Sequence, residues 1–247
     1  MVVYAYMEHG TGKQFSEDTM LADNHLLKDG LFVSEKTGNC VAIADGVGGN
    51  AGGKEASEFV LEQLKGISVC TRDAIMQLNS DLIRYSKSVS RKEKMATTLS
   101  VIQFDHDVPK TIVHVGNTRV YAIQGEYLKQ LTKDHTTVEL LRQRGAYDAA
   151  EHAPSNEITS CMGAGSPAMI NQLQIIEIDK EYSGYVLTSD GIHDHLDEEA
   201  LEDFIANNDY SESAFEDLTN QATEKGSVDD KSIIIIKLWE KYNGPEV

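Results

Sequence analysis

Apolar residues along this chain recur with two different periods. Short, β-branched runs at Val2–Tyr6, Cys40–Ala44, Thr98–Phe104, Thr111–Val115, Arg119–Ile123, Ile170–Ile178, Tyr185–Thr188 and Ser232–Leu238 predict strands. Gly116-Asn117 and Gln124-Gly125 stand between neighbouring runs as turn signals, which predicts antiparallel hairpins through the middle of the chain. A helical period marks Lys54–Lys65 and Arg72–Ser88, where Leu61, Leu64, Ile75, Leu78, Leu82 and Ile83 form apolar faces. Shorter helices are predicted at Thr137–Arg144, Glu198–Asn207 and Glu212–Lys225. Strands flanked by helix pairs, with no regular β-α-β alternation, imply an α+β fold with two mainly antiparallel sheets face to face and helices outside. The stretch 145–169 is rich in Ala, Ser, Pro and Gly and weakly periodic, and reads as a flap or long loop.

Length and composition narrow the class. At 247 residues the chain is long enough for one domain with a substantial core, and 1–247 is read as a single domain. No apolar stretch is long enough to span a bilayer, and Met1-Val2-Val3-Tyr4 lacks the basic and apolar parts of a signal peptide, so a cytoplasmic protein is expected. The three cysteines, Cys40, Cys70 and Cys161, show no metal-ligand spacing and are expected to be free thiols. A formal net charge of −18 disfavours nucleic acid and anionic membranes as partners. Much of that charge, as in Glu198-Glu199 and Glu212 to Asp217, reads as solvated helix surface.

Three acidic positions read differently. Val41-Ala42-Ile43-Ala44 runs into Asp45-Gly46-Val47-Gly48-Gly49, and Tyr185-Val186-Leu187-Thr188-Ser189 runs into Asp190-Gly191. Asp229-Asp230 immediately precedes Ser232-Ile233-Ile234-Ile235-Ile236. A lone Asp-Gly pair is by default a turn. Three strand ends that each present a carboxylate are what hard divalent cations require, since Mg²⁺ and Mn²⁺ take oxygen ligands. Two nucleotide-binding readings fail. The glycines after Asp45 formally fit a dinucleotide fingerprint, but Ile67-Ser68-Val69-Cys70 supplies no ribose-binding acid, and the Asp45 charge would face the pyrophosphate. Gly48 to Lys54 resembles a P-loop, yet Glu55 stands where a hydroxyl must hold Mg²⁺.

In their order along the chain these motifs resemble the metal-dependent protein serine/threonine phosphatases of the PP2C (PPM) type, in their compact bacterial form. Lys13-x-x-Ser16-Glu17-Asp18 is similar to the family's Arg-x-x-Asn-Glu-Asp, and Asp45-Gly46-Val47-Gly48-Gly49 with Ala56-Ser57 to its Asp-Gly-Met-Gly-Gly and Ala-Ser. Ala96-Thr97-Thr98-Leu99, Val115-Gly116-Asn117-Thr118-Arg119-Val120-Tyr121 and Leu131-Thr132-Lys133-Asp134-His135-Thr136 resemble its middle motifs. Thr188-Ser189-Asp190-Gly191 with Asp194, and Asp229-Asp230-x-Ser232, resemble its last two. The resemblance implies a four-layer α-β-β-α sandwich that hydrolyses phosphoserine and phosphothreonine on proteins and opposes a Ser/Thr kinase. It further implies two Mn²⁺ or Mg²⁺ ions held by Asp45, the Gly46 carbonyl, Asp190 and Asp229, with Glu17 and Asp18 binding directly or through water, and Lys13 meeting the substrate phosphate. The nucleophile would be a metal-activated water. The protein is expected to act as a monomer.

The departures from that pattern carry expectations of their own. Asn117 replaces an aspartate that binds a third ion in many bacterial relatives, so that ion is expected to be weak or absent. Lys13 offers a point charge in place of an arginine fork. Asp230 adds a negative charge where the family has asparagine, and Val47 stands where many eukaryotic members carry a histidine. His193 and His195 flank Asp194, but hard-cation sites favour oxygen, so they read as loop or helix-start residues. His135 reads as structural. The competing function is a phosphoprotein-binding regulator on the same scaffold with little turnover; retention of Asp45, Asp190 and Asp229 argues against it.

Overall fold

The computed structural model describes residues 1–47, 51–89 and 95–238. In chain order its strands are β1 (Val2–Glu8), β2 (Thr19–Ala22), β3 (His25–Leu27), β4 (Gly30–Ser34), β5 (Cys40–Ala44), β6 (Ala96–Thr97), β7 (Leu99–Asp105), β8 (Val108–Val115), β9 (Arg119–Gln124), β10 (Tyr127–Gln130), β11 (Met162–Gly163), β12 (Gln174–Glu177), β13 (Gly184–Thr188) and β14 (Lys231–Lys237). The helices are α1 (Ala51–Leu64), α2 (Arg72–Ser88), α3 (Thr137–Gln143), α4 (Tyr147–Glu151), α5 (Asp190–His193), α6 (Glu198–Asn207) and α7 (Glu212–Glu224). Two six-stranded sheets form, in the orders β10-β9-β13-β14-β1-β4 and β12-β8-β7-β5-β2-β3. Their strand pairs are antiparallel, as the turn signals imply.

Three apolar layers hold the sandwich together. Between the sheets lie Val3, Ala5, Met7, Val41, Ile43, Ile102, Ile112, Leu187, Ile234 and Ile236. The outer face of the β5-containing sheet packs Ala42, Ala44, Val101 and Val113 against Leu61 and Leu64 of α1 and Ile75, Leu78 and Leu82 of α2. The outer face of the other sheet packs Ile233 and Ile235 against Leu201 and Phe204 of α6 and Phe215 and Leu218 of α7. Each of the valine, leucine, isoleucine, methionine and phenylalanine side chains contributes roughly 1.5–3 kcal/mol on leaving water. The unbroken Ile233-Ile234-Ile235-Ile236 run has this explanation: β14 is covered on both faces, so neither alternate position meets solvent. Thr71, Asp197 and Ser211 cap α2, α6 and α7 with side-chain oxygens, which fixes where those helices begin.

The structure corrects four details of the sequence reading. The Ile170–Ile178 run is not one strand: a 3-10 turn at Pro167–Ile170 buries Ile170 and Leu173 against the α2 layer before β12 begins at Gln174. Gly116-Asn117 is not a hairpin, because β8 and β9 lie in different sheets and the chain crosses between them there. The tight turn sits instead at His106-Asp107, where both residues have positive φ (47° and 63°) and join β7 to β8. Thr98–Phe104 is interrupted at Thr98, between β6 and β7. Strands β2, β3, β4, β6, β10 and β11 are additional. Within 145–169 the chain forms α4, β11 and the 3-10 turn, with β11 pairing to β6 and Thr159 N–H donating to the His135 carbonyl at 2.7 Å.

Candidate active site

Antiparallel pairing gathers the acidic strand ends. β13 runs antiparallel to β14, with Thr188 opposite Ile233, and β14 runs antiparallel to β1, with Lys231 opposite Glu8. The segment after β13 (Asp190), the segment before β14 (Asp229, Asp230) and the segment after β1 (Gly10 to Asp18) therefore meet at one end of one sheet. The opposite sheet delivers Asp45 to the same place from the end of β5. The Asp45 backbone is clamped: its N–H donates to Thr98 Oγ1 at 2.9 Å, and its carbonyl accepts from Thr98 N–H at 2.8 Å and Thr97 Oγ1 at 2.8 Å. This is the physical reason for the strand break at Thr98. Gly46 donates its N–H to the Glu17 carbonyl at 3.1 Å and backs onto α1. A Cβ on Gly46 would lie 2.3 Å from the Gly53 carbonyl carbon, so only glycine fits. Gly48 and Gly49 of the motif lie outside the described residues.

The carboxylates sense one another. Burial, followed by the Asp230 charge and then Asp190, holds the Asp18 carboxyl well above its usual range, against the pull of the Ser232 and Ser189 hydroxyls. Asp45 is raised likewise by burial and then by Asp18, Asp190 and Asp229, with Lys13 opposing. Asp190 is pushed up to about 6 by burial, Asp229 and Asp194, while the Asn117 amide and the Gly191 N–H favour its charged form. Buried like charges shift in this direction when no counter-cation neutralises them. The donor set, carboxylate oxygens with backbone carbonyls beside them, suits hard divalent cations.

Lys13 and Asp230 organise the mouth of the cleft. The Lys13 ammonium donates to Asp229 Oδ1 and, at 2.9 Å, to Asp230 Oδ2, and lies 3.5 Å from Glu17 Oε2. Burial alone would lower its pKa, but Asp229 and Asp230 outweigh that and hold it above the usual lysine range. Asp230, 1% exposed, also accepts the N–H groups of Gly10 at 2.7 Å and Glu17 at 2.8 Å. Its charge thus closes the 10–17 loop onto the start of β14. Among the described residues no three Asp, Glu, His or Cys side chains are already gathered as a closed metal nest; the ammonium stands among the carboxylates of the mouth. Asn117 donates to Asp190 Oδ2 at 2.8 Å, and its own Oδ1 is buried with no hydrogen-bond partner, an oxygen acceptor beside the acidic cluster.

Other candidates resolve as scaffold. His193 is buried against Thr188 Oγ1 at 2.8 Å, and burial first, then Arg119, lowers its pKa. His195 reaches only the Lys225 carbonyl, at 3.4 Å. His135 accepts the Gly116 N–H at 3.0 Å and supports the crossover that delivers Asn117. Cys40, Cys70 and Cys161 are free and buried, and burial pushes the Cys161 thiol up to about 11, unsuited to nucleophilic attack. The motifs single out Ser57 and Ser232 but not what their hydroxyls hold: Ser232 donates to Asp18 Oδ2 at 2.7 Å, and Ser57 donates to the Glu17 carbonyl at 2.6 Å. The partners lie 214 and 40 residues away, so no local pattern marks the pairing.

Comparison with known proteins agrees with this geometry. The family model described as Protein phosphatase 2C matches residues 16–230. Over 225 residues the chain is 24% identical to the serine/threonine phosphatase stp of Listeria monocytogenes, covering 84% of this chain and 88% of that one. The crystal structure of the Mycobacterium tuberculosis serine/threonine phosphatase PstP/Ppp superposes with a TM-score of 0.75 at 25% identity, over 96% of this chain and 99% of that one. The PstP catalytic domain crystallised with two manganese ions superposes with a TM-score of 0.71 at 24% identity, over 96% and 99% of the two chains. With the matched span running from Ser16 to Asp230 and enclosing the carboxylates of the cleft, this chain belongs to the protein phosphatase 2C family and is a metal-dependent serine/threonine protein phosphatase.

Proposed function

We propose that Asp45, the Gly46 carbonyl, Asp190 and Asp229 hold two Mn²⁺ or Mg²⁺ ions, with Glu17 and Asp18 as direct or water-mediated ligands. The observation that carries this reading is that strand ends from both sheets bring Asp18, Asp45 and Asp190 close enough for the charge of one carboxylate to raise the pKa of another, a repulsion that bound cations relieve. When bound, such a pair of ions supplies an activated water and offsets charge on the transferring phosphoryl group. The chain's own groups do the rest. The Thr97–Thr98 clamp and the Gly46–Gly53 approach fix Asp45, the Asn117 amide orients Asp190, and Asp230 fixes the loop carrying Glu17. Lys13, its side chain 28% exposed at the mouth, supplies a cation for a substrate phosphate oxygen. Asn117 contributes a neutral oxygen rather than a carboxylate, so a third ion is weak or absent.

The substrates are phosphoproteins, and the partner we infer is a cognate Ser/Thr kinase whose products this enzyme reverses. We assign the protein to the cytoplasm, acting as a monomer; no helix among the described residues is long and apolar enough to cross a membrane. Residues 1–247 serve as one phosphatase domain, in which 145–169 borders substrate access.

Hydrolysis of p-nitrophenyl phosphate and of a phosphothreonine peptide, with EDTA, Mg²⁺ or Mn²⁺, tests the assignment. Turnover is expected only with metal and should fall by about 10²–10³-fold in Asp190→Ala, the scale on which single charge-stabilising groups act. Normal turnover by folded Asp190→Ala would sink the ligand assignment. Titration with Mn²⁺ should count two ions, and a third of comparable affinity would count against the reading of Asn117.

A further inference from the structure

Lys231 is the one lysine among the largest fully buried side chains of the described residues, at 0% exposure. It opens β14, directly after Asp229-Asp230, and points to the helix side of the sheet with Ile233 and Ile235, away from the cleft. Its ammonium lies 3.3 Å from Glu8 Oε1, the residue opposite it on β1, and donates to the Asp229 backbone carbonyl at 3.3 Å. Glu8 is itself held from α7, where the Thr219 hydroxyl donates to its Oε2 at 2.5 Å. The lysine stem runs beside α5: a Cβ on Gly191 would sit 3.4 Å from Lys231 Cγ and 2.1 Å from the Asp230 carbonyl. One side chain thus bonds the backbone carbonyl of Asp229 and borders the space beside Gly191, the neighbour of Asp190.

Stability does not account for a charge at this place. The same face of β14 continues with isoleucines, and the Glu8 partner is 35% exposed, so the ion pair with it is screened by solvent and contributes little. What an apolar residue cannot do is hold a carbonyl oxygen. We propose that Lys231 is a positioning residue, fixing the Asp229 backbone relative to Asp190 from behind so that their carboxylates stand at the spacing the ions require. Partners of this kind behind a ligand set typically change metal affinity 10- to 100-fold. The inference rests on the reading of Asp229 and Asp190 as metal ligands.

Mn²⁺ binding by isothermal titration calorimetry on wild type, Lys231→Met and Thr219→Val tests it, with melting temperatures taken in EDTA. The expected result is roughly 10-fold weaker Mn²⁺ binding in Lys231→Met and a smaller loss in Thr219→Val, which releases Glu8 without touching the cleft. At saturating Mn²⁺ kcat should return close to wild type. A merely structural lysine would lower the EDTA melting temperature and leave Mn²⁺ affinity within about twofold, and that outcome overturns the proposal. If Lys231→Met does not fold, Thr219→Val decides by the same criterion. Wild type that binds no Mn²⁺ would instead bring down the metal-centre reading; wild type that binds with both variants unchanged brings down only this inference.

Discussion

A single methyl group at Gly46 should disable the cleft. Its Cβ would press within 2.3–2.4 Å of the Gly53 carbonyl group and 2.8 Å from the Glu17 carbonyl, all backbone atoms that cannot rotate away. Gly46→Ala is expected to cost about 1–3 kcal/mol, as overpacking does, and to move Glu17 with it. Chemical denaturation alongside a Mn²⁺ titration checks this, and a variant with unchanged stability and affinity would contradict it. At this scale the sequence was informative where a residue acts through its own position. Asp45, Asp190 and Asp229 end or precede apolar runs, and the structure brings them to one end of the sandwich. It was uninformative where a residue acts through a distant partner. Asp230 looked like extra charge at a metal, yet its two oxygens are taken up by Gly10, Lys13 and Glu17. Nothing near Asp230 in sequence marks those partners.

Among the elements, the crossover from β8 to β9 rests on neutral imidazoles, which sets a pH dependence. His114 is fully buried, bonded to Ser100 Oγ at 2.9 Å and the Lys133 carbonyl at 3.1 Å, with His135 4.9 Å away ring to ring. Burial, then the neighbouring His135, lowers His114 to about 3, and burial lowers His135 to about 4. In the unfolded chain both titrate near their ordinary value of about 6.5. Below that pH the unfolded state takes up protons that the folded state refuses, so stability falls as pH drops from about 6.5 toward 4. For His114 the full loss, complete only below about pH 3, is on the order of 5 kcal/mol. Urea unfolding at pH 7 and pH 5 should show the decline, and His114→Gln should flatten it; an equally steep decline in that variant would rule out His114 as its source. The elements themselves were unequally legible. α2 and α6 begin and end where apolar period and cap residues place them. β2, β3 and β4 are short, and β2 is buried at every position, so no alternation announces it. The crossover misled because Gly116, at φ +112° with Thr98 Cβ 2.5 Å from where its own Cβ would be, looks in sequence like any turn glycine.

For the whole molecule, the α+β class followed from the spacing of strands and helix pairs, but the order of strands within each sheet did not, because antiparallel partners can be far apart in sequence. β14 shows the result: it follows every other strand among the described residues yet lies between β13 and β1 near the middle of its sheet. A chain stopped at Gly226 is expected to lack both a cooperative thermal transition and measurable Mn²⁺ binding; a cooperative melt in that fragment would contradict it. During synthesis, β1 and β13 then wait with open edges while more than forty residues after β13 are still being added. Asp229 and Lys231 emerge together with the strand that closes the sheet. With Asp229 as the proposed metal ligand, the nascent enzyme is expected to stay silent toward phosphoproteins until β14 is released, so that folding and activity begin in the same event.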